Sequence, residues 1–275
     1  MQTLKEAFNF GVLSLKSVSP SPQLDARLLL EYMLDLKHLA FTNPDFKLQD
    51  EDVKKFHSLI QRRINGEPIA YIVGKKEFFG LEFEVSPSVL IPRPDSEILV
   101  EEALSILKNN NFKTIADVCT GSGCLVISIL SKMTQIEGVG YDISPLAINI
   151  AENNKKKLLQ NPKLNFKIED VLSNNFHLNA EMIISNPPYI PQKDIEELDV
   201  SVKNFEPILA LDGGEDGLIF YRKLAEKCKN SKFVLLEIGV NMESSVEEIF
   251  VKFGYTLLDK KPDLSGIIRV LIFKR

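Results

Sequence analysis

The stretch Ile115–Leu130, "IADVCTGSGCLVISIL", joins a short apolar run to a glycine-containing turn and then to residues at helical spacing. Gly121 and Gly123 let the backbone approach a ligand closely, and the first N–H groups of the following helix have no partner within it. A strand, turn and helix of this kind open a nucleotide-binding α/β fold, or else form a tight strand-to-helix turn that holds no ligand. Roughly twenty residues on, Asp142 ends the next apolar run in "GVGYDISP", where a carboxylate can accept hydrogen bonds from ribose hydroxyls. Ser144-Pro145 then reads as the cap of another helix. A dinucleotide turn wants a third Gly or Ala three positions after Gly123, and Val126 stands there. No Gly-Lys-Ser/Thr follows, so the turn is not a P-loop.

Working outward, "KTIADV", "EGVGYD", "LNFKIED", "EMIIS", "FVLLEI", "YTLLDK" and "IIRVLIFK" read as strands, mostly with helical segments between them. This alternation predicts an α/β, Rossmann-like unit with a mostly parallel sheet covered on both faces. Only "KPDLSG" separates the last two strands, too short for a helical crossover, so they should be antiparallel. Four strand ends then share one edge of the sheet: Thr120 to Gly123, Asp142, Asp170 and Asn186. In open α/β folds that edge binds ligands. Asp170 there can accept from an exocyclic adenine amine with Val171 packed on the ring; equally, it can be a helix N-cap.

Residues 1–66 read as a small all-helical domain. "SPQLDARLLLEYMLDLK" opens with Ser21 as N-cap and Pro22 at the first helical position. "DEDVKKFHSLIQRRING" puts Val53, Phe56, Leu59, Ile60 and Ile64 on one face and stops at Gly66. This piece is either a structural cap or a docking domain for substrate. Residues 67–94 read as a β-hairpin linker, from "AYIVGKKEFFGLEFEV". The third domain is 95–275, entered by a helix that Asp95 should cap. Arg93, in "IPRPD", reads as a contact to substrate or between domains or, more simply, as half of a surface ion pair.

The chain has 275 residues, 44% apolar and 26% charged, with a net charge of −5, which argues against a broad footprint for bare nucleic acid. No apolar run approaches the ~18 residues of a membrane span. The start lacks a signal-peptide core, and three cysteines form no disulfide framework, so a cytoplasmic setting is expected. His38, His57 and His177 are scattered without metal-ligand spacing. Cys119 and Cys124 read as packing residues, and "NNKKKLL" at Asn153 to Leu159 as a solvated helix end.

The fourth strand end carries "EMIISNPPYIP", Glu181 to Pro191. Two adjacent prolines end sheet pairing, because neither has an N–H to donate. An amide or amino nitrogen conjugated to a π-system is a poor nucleophile, its lone pair being delocalised. Two acceptors can hold its N–H groups and aim the lone pair at an electrophile: the Asn186 side-chain carbonyl and the Pro187 backbone carbonyl. Pro187 and Pro188 stiffen the loop, and Tyr189 offers a flat wall to a planar group. Catalysis would come from orientation and preorganised electrostatics.

These residues resemble class I S-adenosylmethionine methyltransferases acting on planar nitrogens. Over nearly the whole chain, "GEPIAYIVGKKEFFGLEFEVSPSVLIPRPDSEILVEEAL", "DVCTGSGCLVISI", "YDISPLAINIAENN", "SNPPYIP" and "FEPILALDGGEDGLIFYRKL" resemble the release-factor glutamine methyltransferases. The resemblance implies three parts: an N-terminal helical domain, a hairpin linker and a methyltransferase domain. It implies methyl transfer to the glutamine amide of the Gly-Gly-Gln motif in class 1 peptide chain release factors. By position it puts S-adenosylmethionine against Cys119, Thr120, Gly121, Ser122, Gly123, Asp142, Val171 and Asn186, with Asp170 adjoining. The substrate glutamine falls against Asn186, Pro187, Pro188 and Tyr189. Cys119 replaces the first glycine of the usual Gly-Thr-Gly-Thr-Gly turn, and a φ below zero is expected for it. That Cys also resembles a sister family acting on a glutamine of a large-subunit ribosomal protein, whereas "LALDGGEDG" favours the release-factor branch. The other readings are an adenine-N6 methyltransferase on nucleic acid and an idle cofactor-binding scaffold. Neither a membrane nor a nucleic-acid partner is expected.

Overall fold

The computed structural model describes residues 2–35, 43–160 and 162–275; His38 lies outside them. Two compact units are present, Met1–Lys75 with Asp199–Phe205, and Lys76–Leu198 with Glu206–Arg275.

The first unit is helical. Its elements are α1 (Leu4–Leu15), α2 (Pro22–Leu34), α3 (Asp50–Ile64), α4 (Ile69–Val73) and α8 (Val200–Lys203). Thr3 and Glu6 form a reciprocal capping box at the start of α1. Pro22 is the first residue of α2, but Ser21 makes no side-chain cap bond there. Leu4, Leu15, Leu29, Leu30, Phe56 and Ile60 close the core. Beside it, Arg63 Nε lies 2.8 Å from the nearly buried Asp25 carboxylate. α3 ends as its glycine requires, with Gly66 at φ +94°.

The expected hairpin starts later than its aromatic and β-branched residues suggest. Residues Ile69–Val73 form one helical turn between Pro68 and a left-handed Gly74, and Ile72 packs in the helical core. Strands β1 (Lys75–Phe78) and β2 (Leu81–Glu84) follow, joined through Phe79 and Gly80, both at positive φ.

The second unit carries a seven-stranded sheet in the order β5-β4-β3-β6-β7-β9-β8. Its strands are β3 (Thr114–Val118), β4 (Glu137–Asp142), β5 (Leu164–Ile168), β6 (Met182–Ser185), β7 (Phe233–Glu237), β8 (Thr256–Pro262) and β9 (Ile268–Lys274). The first five pair in parallel; β9 is antiparallel to both β7 and β8. The central strands β6 and β7 are buried on both faces and are apolar at nearly every position, whereas β5 and β8 at the two edges are partly exposed. Met182, Ile184, Phe233 and Leu235 face one core with α5 (Glu97–Asn109) and α6 (Cys124–Lys132). Ile183, Val234 and Leu236 face the other, with α9 (Ile219–Lys227) and α10 (Glu243–Lys252).

Between β4 and β5 runs α7 (Pro145–Leu158), capped as expected: Ser144 Oγ accepts from Ala147 N at 3.2 Å. Its end is not uniformly solvated. Asn154 is fully buried, its Nδ2 donating to the carbonyls of Glu84 and Ser122 and its Oδ1 accepting from Glu84 N at 2.7 Å. One amide thus ties β2 to the glycine turn. Asp95 does not cap α5: Pro94–Ser96 forms a 3-10 turn, and the Asp95 carboxylate lies 3.6 Å from Arg269 Nε.

Candidate active site

Register brings the site together. The chain order reverses at β3, whose neighbours are β4 and β6, and a crevice opens beyond the strand ends at such a switch point. Val118 is paired with Tyr141 on one side and with Ser185 on the other, and Ser185 with Leu236. The next residue on each strand is therefore Cys119, Asp142, Asn186 and Glu237, side by side. A cavity of about 400 Å³ lies there, lined among others by Cys119 to Ser122, Asp142, Asp170, Val171, Asn186 and Pro188. Gly123, Pro187 and Tyr189 are not on its wall.

The turn after β3 is held by two carboxylates, Asp117 and Asp142. Asp117 is fully buried and accepts from Thr120 Oγ1 at 2.7 Å; burial pushes its carboxyl up to about 7. Cys119 adopts φ +62°, contrary to the negative value expected of a residue with a Cβ. Parallel pairing carries β3 straight to this point, and the backbone must then reverse tightly enough for Thr120 N to reach Tyr141 O at 2.9 Å. The left-handed conformation costs of order 1–3 kcal/mol, which the surrounding bonds override. Burial pushes the Cys119 thiol well up and Cys124 to about 12, which keeps both protonated and poorly nucleophilic. Gly123 is left-handed too, and an added Cβ would lie 2.9 Å from Ile127 and 3.0 Å from Phe166. It sets the entry of α6 from behind the wall.

Asp142 accepts from Gly121 N and from Ser144 N, both at 2.9 Å, one amide on each oxygen. These bonds orient the carboxylate and counter only part of the upward push of burial on its pKa. Asp170 accepts from Leu172 N at 2.8 Å in a tight turn; no helix follows, so the N-cap reading fails.

The Asn186–Tyr189 loop is held from its far end. Ile190 exchanges backbone bonds with Leu211 and Gly213, at 3.0 and 2.9 Å, and Gln192 N donates to Gly214 O. An added Cβ on Gly213 would lie 2.7 Å from the Tyr189 Cα. Backbone cannot yield as a flexible side chain can, which explains a glycine in "LALDGG". Gly213→Ala is expected to destabilise the protein by about 1–3 kcal/mol through overpacking, read as a lower midpoint in thermal unfolding. A midpoint equal to wild type would remove this close approach from the account. The Tyr189 ring packs beside Gly239 and Met242 rather than on the cavity wall, and burial pushes its phenol up to about 12.

Ser88 to Leu90, Pro92, Arg93 and Pro207 to Ala210 complete the wall. Arg93 binds the buried Glu206 at 2.5 Å, and Ile91 N donates to the same carboxylate. Arg93 is therefore an anchor between these segments, not a loose surface pair. Ile208 and Leu209 line the cavity yet are 49% and 65% exposed.

Two further residues adjoin the tetrad, Ser96 on the cavity wall and Glu237 behind it, and the sequence did not single out either. Asn186 Nδ2 donates to Ser96 Oγ at 3.4 Å, and Ser96 Oγ donates to Glu237 Oε2 at 2.5 Å. Ser96 and Glu237 are 2% and 3% exposed.

Family models match two parts of the chain: the PrmC N-terminal domain at residues 6–74 and the methyltransferase small domain at 95–205. Release factor glutamine methyltransferase of Koribacter versatilis is 36% identical, covering 99% of both chains. The protein of that name from Clostridium botulinum is 38% identical over 95% of each. Among solved structures, a methyltransferase from Pyrococcus furiosus superposes with a TM-score of 0.52 at 20% identity, over 78% of this chain and 96% of that one. It shares the class I methyltransferase fold. With relatives at this identity over their full length, the chain belongs to the release factor glutamine methyltransferase family.

Proposed function

We propose that this methyltransferase modifies the side-chain amide nitrogen of the glutamine in the Gly-Gly-Gln motif of class 1 peptide chain release factors. The methyl donor is S-adenosylmethionine. The observation that carries the reading is the placement of Asn186 and Pro188 on a cavity whose facing strand end presents an oriented carboxylate, Asp142.

The cavity's groups fit the cofactor. Asp142 offers acceptors to ribose hydroxyls, Asp170 and Val171 offer an acceptor and an apolar contact to adenine, and the turn from Cys119 to Ser122 offers backbone. The bound cofactor supplies a methyl on a sulfonium sulfur, so that N–C bond formation breaks the C–S bond and leaves a neutral thioether. The protein's part is to orient the amide. The Asn186 side-chain carbonyl and the Pro187 backbone carbonyl accept its two N–H groups, and the two prolines keep those acceptors in place. Before proton loss the methylated nitrogen is far more acidic than a neutral amide, so its proton passes to water and no strong base is needed.

Labelled S-adenosylmethionine with purified release factor tests this directly. Label should appear on the release factor and disappear when its Gly-Gly-Gln glutamine is replaced. Label on nucleic acid or on a ribosomal protein instead would overturn the assignment.

The helical unit, in this reading, docks the release factor. Leu13 of α1 is 72% exposed and Phe10, one turn before it, 37%. Leu13→Asp should weaken release-factor binding by roughly 10- to 150-fold, the ~1.5–3 kcal/mol of one buried leucine, and leave cofactor affinity unchanged. Equal release-factor affinity in titration calorimetry would leave this face without that role.

A further inference from the structure

We propose that Ser96 and Glu237 are positioning residues that fix which way round the Asn186 amide faces, and that protonation of Glu237 reverses it. This rests on the reading of Asn186 as the acceptor for the substrate amide. The two ends of an asparagine side chain have nearly the same shape, so only hydrogen bonding distinguishes them. A serine hydroxyl has one proton. Ser96 gives that proton to Glu237 Oε2 at 2.5 Å, so toward Asn186 it can only accept. The atom facing it must then be the NH₂, as found at 3.4 Å. The carbonyl oxygen is left for the ligand.

The order of donors depends on one carboxylate. A protonated Glu237 can donate to Ser96 Oγ. The Ser96 proton is then free to point at Asn186, where it finds an acceptor once the amide turns its carbonyl inward. Asn186 would present two N–H donors to a substrate amide that also brings N–H donors, and the acceptor would be lost.

Glu237 sits where it can make this change. It is the last residue of β7, next to Asn186 in register, and 3% exposed. Burial pushes its pKa up to about 7, against the pull of Ser96; Arg269 and Arg93 favour the carboxylate and Asp95 opposes it. The other titratable groups around it are Tyr189, Tyr221 and Cys124, all raised by burial and neutral in this range. Tyr221 donates to the Glu237 backbone carbonyl at 2.9 Å, which holds the strand end.

Two measurements test the relay. In single-turnover methylation with both ligands saturating, Ser96→Ala should be roughly 10- to 100-fold slower, the scale of a misaligned reacting group, with cofactor affinity unchanged. Ser96→Thr, which restores the hydroxyl, should recover most of the rate. The wild-type rate should rise with pH through about 7, and Glu237→Gln should flatten that rise. Independently of any substrate, the side-chain NH₂ signals of Asn186, assigned by their loss in Asn186→Ala, should shift with a midpoint near that of Glu237 and stay constant in Glu237→Gln. Signals that ignore pH in wild type, or that titrate equally in Glu237→Gln, overturn the relay. A Ser96→Ala enzyme at the wild-type rate does the same. If wild type methylates no release factor, the proposed function fails, and the amide signals still decide the relay.

Discussion

Asn186→Ala should lower the single-turnover rate of methyl transfer by roughly 10²–10³, the usual loss for one preorganised hydrogen-bonding group. The effect belongs mainly to the chemical step. Asn186 lines the cavity, but the loop around it is held by other bonds: Ile190 to Leu211 and Gly213, and the buried Pro187 and Pro188. Truncating its side chain therefore leaves the loop in place and removes one acceptor. Saturating both ligands separates chemistry from binding. Asn186→Asp keeps an acceptor oxygen and should lose less. Its carboxylate would share Ser96 with Glu237, and two carboxylates on one hydroxyl need a proton between them. The advantage of Asp over Ala should therefore fade as pH rises. An alanine variant at the wild-type rate would end the hydrogen-bond account of the tetrad.

Much of this site is legible in sequence because strand ends in a parallel sheet announce themselves. An apolar run that stops at Asp142, at Asp170 or at Asn186 places each of those residues at the same edge without any long-range information. The short "KPDLSG" likewise leaves no alternative to an antiparallel pair, and the structure has one. What stays hidden depends on partners far along the chain. Ser96 lies 90 positions from Asn186 and 141 from Glu237, and no local pattern links them. Asn154 looks like one of two amides on a lysine-rich helix end until β2 is folded against it. Local sterics favour a negative φ at Cys119. Tertiary bonding at the turn overrides that preference by more than its cost of order 1–3 kcal/mol. Tyr71 to Val73 have strand-forming side chains, but Pro68 and Gly74 bracket them into one helical turn. Tyr189 reads in sequence as a wall for the substrate; the ring instead packs beside Gly239 and Met242. A sequence can say that a phenol follows two prolines, but not which side of the loop it takes.

Asp142→Ala should weaken S-adenosylmethionine binding by about 1.5–3 kcal/mol, the loss of hydrogen bonds to a charged acceptor, or roughly 10- to 150-fold in affinity. Two contributions are separable. One is direct: the carboxylate lines the cavity at the end of β4, and in the proposed site it receives the ribose hydroxyls. The other is indirect, because Asp142 also accepts from Gly121 N and Ser144 N. Alanine frees both amides, loosens the turn that carries Cys119 to Ser122, and leaves α7 with only the Ser144 hydroxyl at its start. Asp142→Asn keeps one acceptor and loses the charge, so its affinity should fall between wild type and alanine. Burial already raises the Asp142 pKa above the ordinary carboxylate value. In the ligand-free protein its proton is held to a higher pH than in an unfolded chain, so its ionised form stabilises the fold less, not more. A ligand that bonds only the ionised form reverses that balance. Cofactor affinity should therefore drop as pH falls toward the carboxylate range, and in Asp142→Ala that drop should be smaller, with the Asp170 carboxylate still in the site. Calorimetric titration of the folded variants at several pH values reads both effects. An alanine variant with wild-type affinity, and with the wild-type decline at low pH, would place the cofactor's hydroxyls elsewhere.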